Sequence, residues 1–527
     1  AERLYRDILE ARPGAAEVLS KLGAALAAQG KFVESISSLR RAIENDPDLA
    51  EAHTNLGSVF QAQGKLEEAI PPLRRALEIN PEQAAAHVNL GNIFLKQDNA
   101  EDAAQCFQKA LGVQPGSPQA LNGLGTAMMH QNMGFEAEEA FQQALDISPD
   151  QPEILCNLGT LYRNQRKYDE AVETLRKAIS VQPKLTEAHI NLGNALKSRG
   201  DWDDALDAYE GALALEPDNA ETHWNQAQVL LMLGRFREGW KEYEWRTRCE
   251  GFQSLLWNAG VTPWDGSHLD GKTILLNCEQ GFGDSIQFVR YAQTIAEMNG
   301  TVIVKCPPQL RTLFETVPGV DRVVTRLNRS VLFDVEASLP SLPKLLATDL
   351  DTIPAGVPYF TAPTDDTGTL NADDKLKVGI VWAGNPAHKN DQNRSIGLNV
   401  LAPLLNVEGI AFFSLQVGEG SQDIERFGLS QNIVDLGQDL GDFAATAKVL
   451  EALDLIISVD TSVVHLAGAL GKPVWTLLPF VPDWRWLLKR DDSPWYPSMR
   501  LFRQQSPGDW QGVIESVETA LRQRLMN

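Results

Sequence analysis

The stretch PDLAEAHTNLGSVFQAQGKLEEAIPPLRRALEIN, residues 47–80, decides the fold of the first half of the chain. The next 34 residues, 81–114, read PEQAAAHVNLGNIFLKQDNAEDAAQCFQKALGVQ and keep proline, asparagine and glycine at the same positions. The period holds without insertion over seven prolines, which are Pro13, Pro47, Pro81, Pro115, Pro149, Pro183 and Pro217. A fixed period of this length indicates one supersecondary unit stacked many times.

Small residues recur at two further positions of the period. The glycine column is Gly23, Gly57, Gly91, Gly125, Gly159 and Gly193, and the alanine column is Ala42, Ala76, Ala110, Ala144, Ala178 and Ala212. Small side chains let two antiparallel helices approach closely, and each proline ends the second helix of a pair. Because one pair cannot bury its apolar face alone, the pattern predicts an α-solenoid over residues 1–250.

This 34-residue helix–turn–helix unit resembles the tetratricopeptide repeat. The resemblance implies a superhelix with a concave groove that binds proteins or peptides. One column of asparagines is expected to face the groove as an acceptor-binding ladder, interrupted at Lys21 and Gly123: Asn55, Asn89, Asn157, Asn191 and Asn225. Their amides could pair with an extended peptide backbone, and the column is similar to the ladder of the eukaryotic O-linked N-acetylglucosamine transferase. The alternative is that the amides tie neighbouring helices together.

The composition indicates which class of partner the protein binds and in which compartment it is found. The chain of 527 residues has 47 Lys and Arg against 70 Asp and Glu, a formal charge of −23, which disfavours a nucleic-acid partner. No apolar run approaches the roughly 20 residues that span a bilayer, and no signal peptide opens the chain, so no membrane span is predicted. Five scattered cysteines without metal-ligand spacing favour a reducing, cytoplasmic location and no zinc site.

The second half alternates short apolar strands with helices. Residues 251–271 are predicted to be a packed linker in which Trp257 and Trp264 pin the solenoid to the α/β region. A first α/β domain is predicted over 272–354, an interdomain linker over 355–376 and a second α/β domain over 377–527. The predicted strands are Thr273–Cys278, Thr301–Cys306, Arg322–Thr325, Val378–Trp382, Ala411–Gln416, Leu455–Val459 and Val474–Leu478.

This alternation implies two parallel sheets, hence two Rossmann-like domains facing a cleft. Glycosyltransferases of the GT-B arrangement, some sugar-nucleotide epimerases and some phosphorylases share that architecture. The fold alone does not choose among them.

Three motifs carry candidate chemistry. Glu279–Asp284 follows the first strand, where Gly281 and Gly283 let the backbone approach a ligand, and Asp284 could instead serve only as a helix cap worth about 1 kcal/mol. In the segment ISVDTSVVHLAGALGKPV, residues 457–474, Asp460, Thr461 and Ser462 open a helix whose free N–H groups favour a diphosphate, and His465 lies one turn later. The alternatives are that Asp460 or Ser462 only caps the helix and that His465 is a hydrogen-bonded core residue. The loop WAGNPAHKNDQNRSI, residues 382–396, contributes Asn385 and two cations, Lys389 and Arg394.

Together the motifs resemble the bacterial heptosyltransferase family, and residues 252–527 resemble the glycosyltransferases that bacteria fuse to tetratricopeptide repeats. The resemblance implies an inverting transferase that needs no metal and no cofactor beyond a nucleotide sugar as co-substrate. It makes Asp284 the general base, and it assigns the nucleotide diphosphate to Arg394, Asp460, Thr461 and His465. Asp483 is a second candidate for the base. Ser462 stands where heptosyltransferases commonly have glycine, so the donor need not carry heptose.

The predicted function is therefore transfer of a sugar to a Ser or Thr hydroxyl of a protein docked by the repeats. Flagellin is one acceptor that the resemblance allows. Two alternatives stay open from the sequence: a non-catalytic repeat scaffold with a nucleotide-sugar-binding domain, and a nucleotide-sugar epimerase. Replacing Asp284 separates the transferase from the scaffold, because a transferase should lose turnover and keep donor affinity, whereas a scaffold should keep its partner function. An epimerase should interconvert donors with no protein acceptor present.

Overall fold

The computed structural model describes residues 1–252, 261–279, 281–363, 370, 372, 374–388 and 390–526. These residues form two compact units, 1–199 and 200–527.

The first unit is built of antiparallel helix pairs that follow the sequence period. Its helices are α1 (Glu2–Ala11), α2 (Ala16–Ala27), α3 (Phe32–Asn45), α4 (Ala50–Ala62), α5 (Leu66–Ile79), α6 (Ala84–Lys96), α7 (Ala100–Val113), α8 (Pro118–His130), α9 (Gly134–Ile147), α10 (Pro152–Asn164), α11 (Tyr168–Val181) and α12 (Thr186–Arg199). The predicted solenoid of helix pairs is confirmed here.

Both small-residue columns lie where helices touch. A Cβ added to Gly57 would lie 2.4 Å from Cγ of Leu73, and one added to Gly91 would lie 2.7 Å from Cζ of Phe107. Each alanine of the other column in this unit is fully buried, and its carbonyl accepts the N–H of the residue that ends its helix. The repeat therefore specifies close helix contacts as well as helix ends.

The second unit begins with three further helices of the same period. They are α13 (Trp202–Leu215), α14 (Ala220–Met232) and α15 (Phe236–Tyr243), followed by a 3₁₀ turn at Glu244–Arg248. Their apolar faces share one core with the α/β elements: the Trp240 indole donates to the carbonyl of Thr348 at 3.1 Å and packs edge-on against Trp484 at 5.1 Å. This shared core explains why the chain divides near residue 200 rather than at the end of the repeats.

The first α/β layer, residues 262–345, contains a parallel five-stranded sheet of order β1-β5-β2-β3-β4 and the helices that connect its strands. Its elements are β1 (Thr262–Pro263), β2 (Thr273–Asn277), α16 (Phe282–Phe288), α17 (Tyr291–Glu297), β3 (Thr301–Lys305), α18 (Arg311–Phe314), β4 (Arg322–Val324), β5 (Val335–Ser338) and α19 (Leu342–Leu345). Trp264 is buried beside β1, and its indole donates to the carbonyl of Ser267 at 2.8 Å. Trp257 lies outside the described residues.

The second α/β layer, residues 376–526, contains a parallel six-stranded sheet of order β11-β10-β9-β6-β7-β8 and the helices that connect its strands. Its elements are β6 (Leu376–Val381), α20 (Asp391–Arg394), α21 (Leu398–Leu401), β7 (Ile410–Ser414), α22 (Asp423–Arg426), β8 (Ile433–Asp435), α23 (Phe443–Glu451), β9 (Leu455–Val459), α24 (Ser462–Ala469), β10 (Val474–Leu478), β11 (Met499–Arg503) and α25 (Trp510–Met526). Two parallel sheets after a helical solenoid confirm the predicted fold class. Across the described residues, no helix is long and apolar enough to cross a membrane.

Candidate functional site

The strand order of each sheet marks the place where a ligand is expected. In the first sheet the order reverses between β2 and β5, and in the second it reverses between β6 and β9. Ligands of parallel α/β sheets bind beyond the carboxyl ends of the strands at such reversals. All three predicted motifs lie there, because Glu279–Asp284 follows β2, the loop 382–396 follows β6 and Asp460 follows β9.

The first two motifs meet at Gly283. A Cβ on this glycine would lie 2.8 Å from Cδ2 of His465, so α16 approaches α24 too closely for any side chain. Gly281 is the N-cap of α16, and Asp284 lies in its first turn. Asp284 is therefore not the N-cap residue itself, but its carboxylate accepts a hydrogen bond from the backbone N–H of Gly281 and so helps to cap the helix.

Asp284 is held by a residue that sequence reasoning did not identify. Arg485, in the turn after β10, donates through Nη2 to the Asp284 carboxylate, through Nη1 to Asp483 at 2.8 Å and through Nε to Gln287 at 2.6 Å. Side-chain exposure is 9% for Arg485, 20% for Asp284 and 36% for Asp483. The available signal was Arg485 itself, a cation within the aromatic segment PDWRW of residues 482–486.

Burial makes the largest contribution to the pKa shifts of Asp284 and Asp460. It raises the pKa of Asp284 above the ordinary 3.8; Arg485 lowers that pKa and Asp483 adds to the rise. Burial also raises the pKa of Asp460 to about 6, again with a repulsive contribution from Asp483, while Trp486 and Arg394 act in the opposite direction. The carboxyls of Asp284 and Asp460 thus bind protons more readily than ordinary aspartates.

His465 is a neutral imidazole within the core of the site. Burial, followed by the positive charges of Arg485, Arg290 and Arg394, lowers its pKa well below the ordinary value. Its Nδ1 lies 3.0 Å from the Tyr496 hydroxyl, and its ring stacks on Trp486 at 5.3 Å between centroids. Its predicted contact with a diphosphate would have to come from a neutral N–H rather than from a charge.

The loop after β6 brings a cation to the start of α24. Arg394 donates through Nη1 to the carbonyl of Asp460 at 3.1 Å and through Nε to Asp391 at 3.2 Å. Thr461 is the N-cap of α24, with its hydroxyl 3.1 Å from that of Ser458, and Ser462 is the first residue of the helix.

The other two residues predicted in this loop differ in what the structure shows. Asn385 is exposed and its side chain accepts the N–H of Ala387, closing a turn of the loop. Lys389 lies outside the described residues.

A second ion pair, between Arg246 and Glu279, fixes the start of the first motif. Glu279, 3% exposed, accepts from Arg246 of the 3₁₀ turn after α15 and from Ser338 at the end of β5. Arg246 is fully buried and also donates to Ser341 at 2.8 Å and to Glu244 at 2.7 Å. The final repeat helices therefore hold the turn that precedes Asp284.

Three asparagines of the ladder, Asn55, Asn89 and Asn157, form hydrogen bonds between repeats. Asn55 donates to Ser20 at 3.1 Å, Asn89 donates to Ser58 at 2.6 Å and Asn157 donates to Asn122 at 2.9 Å. Each bond joins a first helix to the first helix of the preceding repeat and uses one of the two amide protons. Asn191 and Asn225 are half-buried in α12 and α14.

The aromatic residues of the C-terminal segment belong to the core. Trp484, Trp486, Trp495 and Tyr496 are all buried. Arg290 anchors the cluster by donating to the carbonyl of Trp495 at 2.8 Å and to the Tyr359 hydroxyl at 3.0 Å.

Family models match both the repeats and a part of the α/β region. Tetratricopeptide-repeat families match residues 14–82, 54–118, 88–152, 152–185 and 193–234. Glycosyltransferase family 9 (heptosyltransferase) matches residues 434–482, a segment that contains Asp460, Thr461, Ser462 and His465.

Protein FlbA of Caulobacter vibrioides is 29% identical to this chain over 326 residues, which cover 55% of this chain and 53% of FlbA. The chain thus spans about half the length of this curated relative. Among solved structures, the APC/C hetero-tetramer Cut9-Hcn1 is 19% identical with a TM-score of 0.41, over 43% of this chain and 45% of that one. PilF of Pseudomonas aeruginosa is 24% identical with a TM-score of 0.36, over 41% of this chain and 99% of that one. The chain therefore combines tetratricopeptide repeats with a segment, residues 434–482, that matches glycosyltransferase family 9.

Proposed function

We propose that this protein transfers a sugar from a nucleotide sugar to a Ser or Thr hydroxyl of a protein acceptor, with inversion and without a metal ion. The family 9 match supports a glycosyltransferase. The observation that carries the finer proposal is the contact between Gly283 and His465, which places the Asp284 turn against the helix that starts with Ser462. One site then holds a candidate base and a candidate diphosphate cradle.

The chemistry follows from the groups at this site. Asp284 is a carboxylate with a raised pKa, suited to take the proton of the attacking hydroxyl as the bond to the anomeric carbon forms. The bond to the diphosphate breaks in the same displacement, and attack from the opposite face inverts the anomeric carbon. Arg394 and the N–H groups at the start of α24 would stabilise the charge that develops on the leaving diphosphate, the task that a metal ion performs in other transferases.

The repeats are proposed to bind the acceptor. A protein held on the solenoid has an effective concentration near the transferase unit that free diffusion would not provide. Each ladder amide that bonds to a neighbouring repeat keeps a second N–H and lone pairs for a peptide backbone. Flagellin remains a candidate acceptor on the resemblance alone.

Donor binding tests the proposal first. Nucleoside diphosphates and monophosphates are titrated while tryptophan fluorescence follows thermal unfolding, since all 12 tryptophans lie at or beyond Trp202. A nucleotide at 100 times its Kd should stabilise the folded unit by about 3 kcal/mol. The stabilisation should disappear in Arg394→Ala and persist in Arg426→Ala, a control arginine whose side chain is 75% exposed.

Turnover separates the transferase from its rivals. Asp284→Asn should keep the nucleotide shift and lose transfer to a protein acceptor. An epimerase would interconvert nucleotide sugars with no acceptor present, and a scaffold would bind its partner equally well in the Asp284 variant. If no nucleotide stabilises the wild type, the assignment of Arg394 and α24 to a diphosphate is wrong.

A further inference from the structure

We propose that Arg485 is the positioning residue of Asp284, reaching across from the opposite α/β layer to orient its carboxylate and to supply it with a positive neighbour. The inference rests on the proposed function, in which Asp284 is the base. It adds a residue that neither the motifs nor the family match includes, since the match ends at residue 482.

The geometry of Arg485 is that of a fixed fork. Its three side-chain nitrogens are all engaged, with Asp284, Asp483 and Gln287 as the acceptors. Its backbone N–H also donates to Asp483 at 3.0 Å, and its guanidinium lies 4.3 Å above the ring of Trp484. A planar group held at this many points has little freedom to leave its partner.

The two ends of the fork belong to different layers of the fold. Asp284 and Gln287 lie on α16, after β2 of the five-stranded sheet, whereas Asp483 and Arg485 lie after β10 of the six-stranded sheet. Gln287 is fully buried, and its acceptor oxygen points at Nε of Arg485. The charge that stabilises the candidate base therefore comes from the layer that carries the candidate donor site, so the base is fully formed only when the two layers are together.

Asp483 weakens the interaction between Arg485 and Asp284. Its carboxylate competes with Asp284 for the same guanidinium and repels Asp284 through its own charge. Removing Arg485 and removing Asp483 should thus shift the protonation of Asp284 in opposite directions, because one change deletes a positive neighbour and the other a negative one. A residue that only stabilised the fold would produce no such pair of opposite shifts.

The experiment measures protonation of Asp284 without any substrate. A water-soluble carbodiimide couples glycinamide to protonated carboxyls. Peptide mass spectrometry of samples labelled between pH 4.5 and pH 8 then gives the labelling midpoint, which is the pH at which labelling of a given carboxyl falls to half its maximum. The tryptic peptide of residues 273–290 contains only two carboxyl side chains, Glu279 and Asp284, which fragmentation resolves. In Arg485→Gln the Asp284 midpoint should rise by about one pH unit or more. In Asp483→Asn it should fall.

Arg490→Gln is the matched control, because Arg490 is five residues further along and pairs with Asp492. It should leave the midpoint unchanged. Tryptophan fluorescence checks that each variant is folded, and if Arg485→Gln is not, Arg485→Lys takes its place, with a smaller rise expected because the charge is kept while the fixed fork is lost. An Asp284 midpoint that stays in place or falls in Arg485→Gln, or one that does not fall in Asp483→Asn, overturns the inference. Because no nucleotide is used, that failure is distinct from a failure to bind or turn over a donor.

Discussion

Asp460 should destabilise the fold at neutral pH, and replacing it by asparagine should stabilise the protein. Burial raises the pKa of this carboxyl from 3.8 to about 6. The folded state then binds the proton more tightly than the unfolded chain does, so stability falls as the pH rises from about 4 to about 6. The difference of about two pKa units corresponds to roughly 3 kcal/mol at pH 8, and about half of it develops between pH 5 and pH 8.

The assay is denaturant unfolding of Asp460→Asn and the wild type at pH 5 and pH 8. Tryptophan fluorescence reports only on residues 200–527, because residues 1–199 contain no tryptophan. The variant should be more stable than the wild type at pH 8, with the advantage shrinking by about half at pH 5. The same substitution at exposed Asp439 is the control and should change stability little at either pH.

A stability gain that is equal at the two pH values would refute this reasoning, since an asparagine that simply packs better has no pH dependence. A loss of stability at pH 8 would refute it more directly, because it would mean that the charged form of Asp460 is favoured by its neighbours. The expected result would identify Asp460 as a residue retained at the expense of stability, as functional sites often require.

Two pairs of glycine substitutions, one pair within each compact unit, test the close helix contacts described above. Gly283→Ala should destabilise the second unit by about 1–3 kcal/mol because its methyl would meet His465, whereas Gly281→Ala, with its nearest atom at 3.4 Å, should cost far less in the same fluorescence assay. Gly91→Ala should lower the thermal midpoint of the helical signal in circular dichroism because the added methyl meets a phenyl ring at 2.7 Å. Gly112→Ala, with no atom within 4 Å inside α7, should raise stability by about 0.5–1 kcal/mol; the opposite order within either pair would contradict the packing described.

Much of the fold was predictable because its signals are local. The 34-residue period places each helix pair, since proline, glycine and alanine act on neighbouring backbone and on the adjacent helix. The predicted strands after Gly271 are present because short apolar runs between turn residues leave few other choices. The motif residues Asp284, Arg394 and Asp460 follow strands of parallel sheets, and such positions converge whatever the loop details are.

Other features depended on which distant segments meet. Arg485 is 201 residues from Asp284, so their bond has no local signature. The pairing of Arg246 with Glu279 joins the 3₁₀ turn after α15 to the α/β region, which lies in the same compact unit. Neither the spacing nor the residue types of these segments predicts that pairing.

The sequence by itself determined the architecture of this protein and the positions of its candidate chemical groups, because periodicity and strand order are properties of consecutive residues. The tertiary structure decided the state of those groups: a neutral His465, an Asp460 whose pKa is about 6, and ladder amides engaged between repeats. Charge and hydrogen-bonding state follow from burial and from neighbours distant in the chain, and both exist only once the chain is folded.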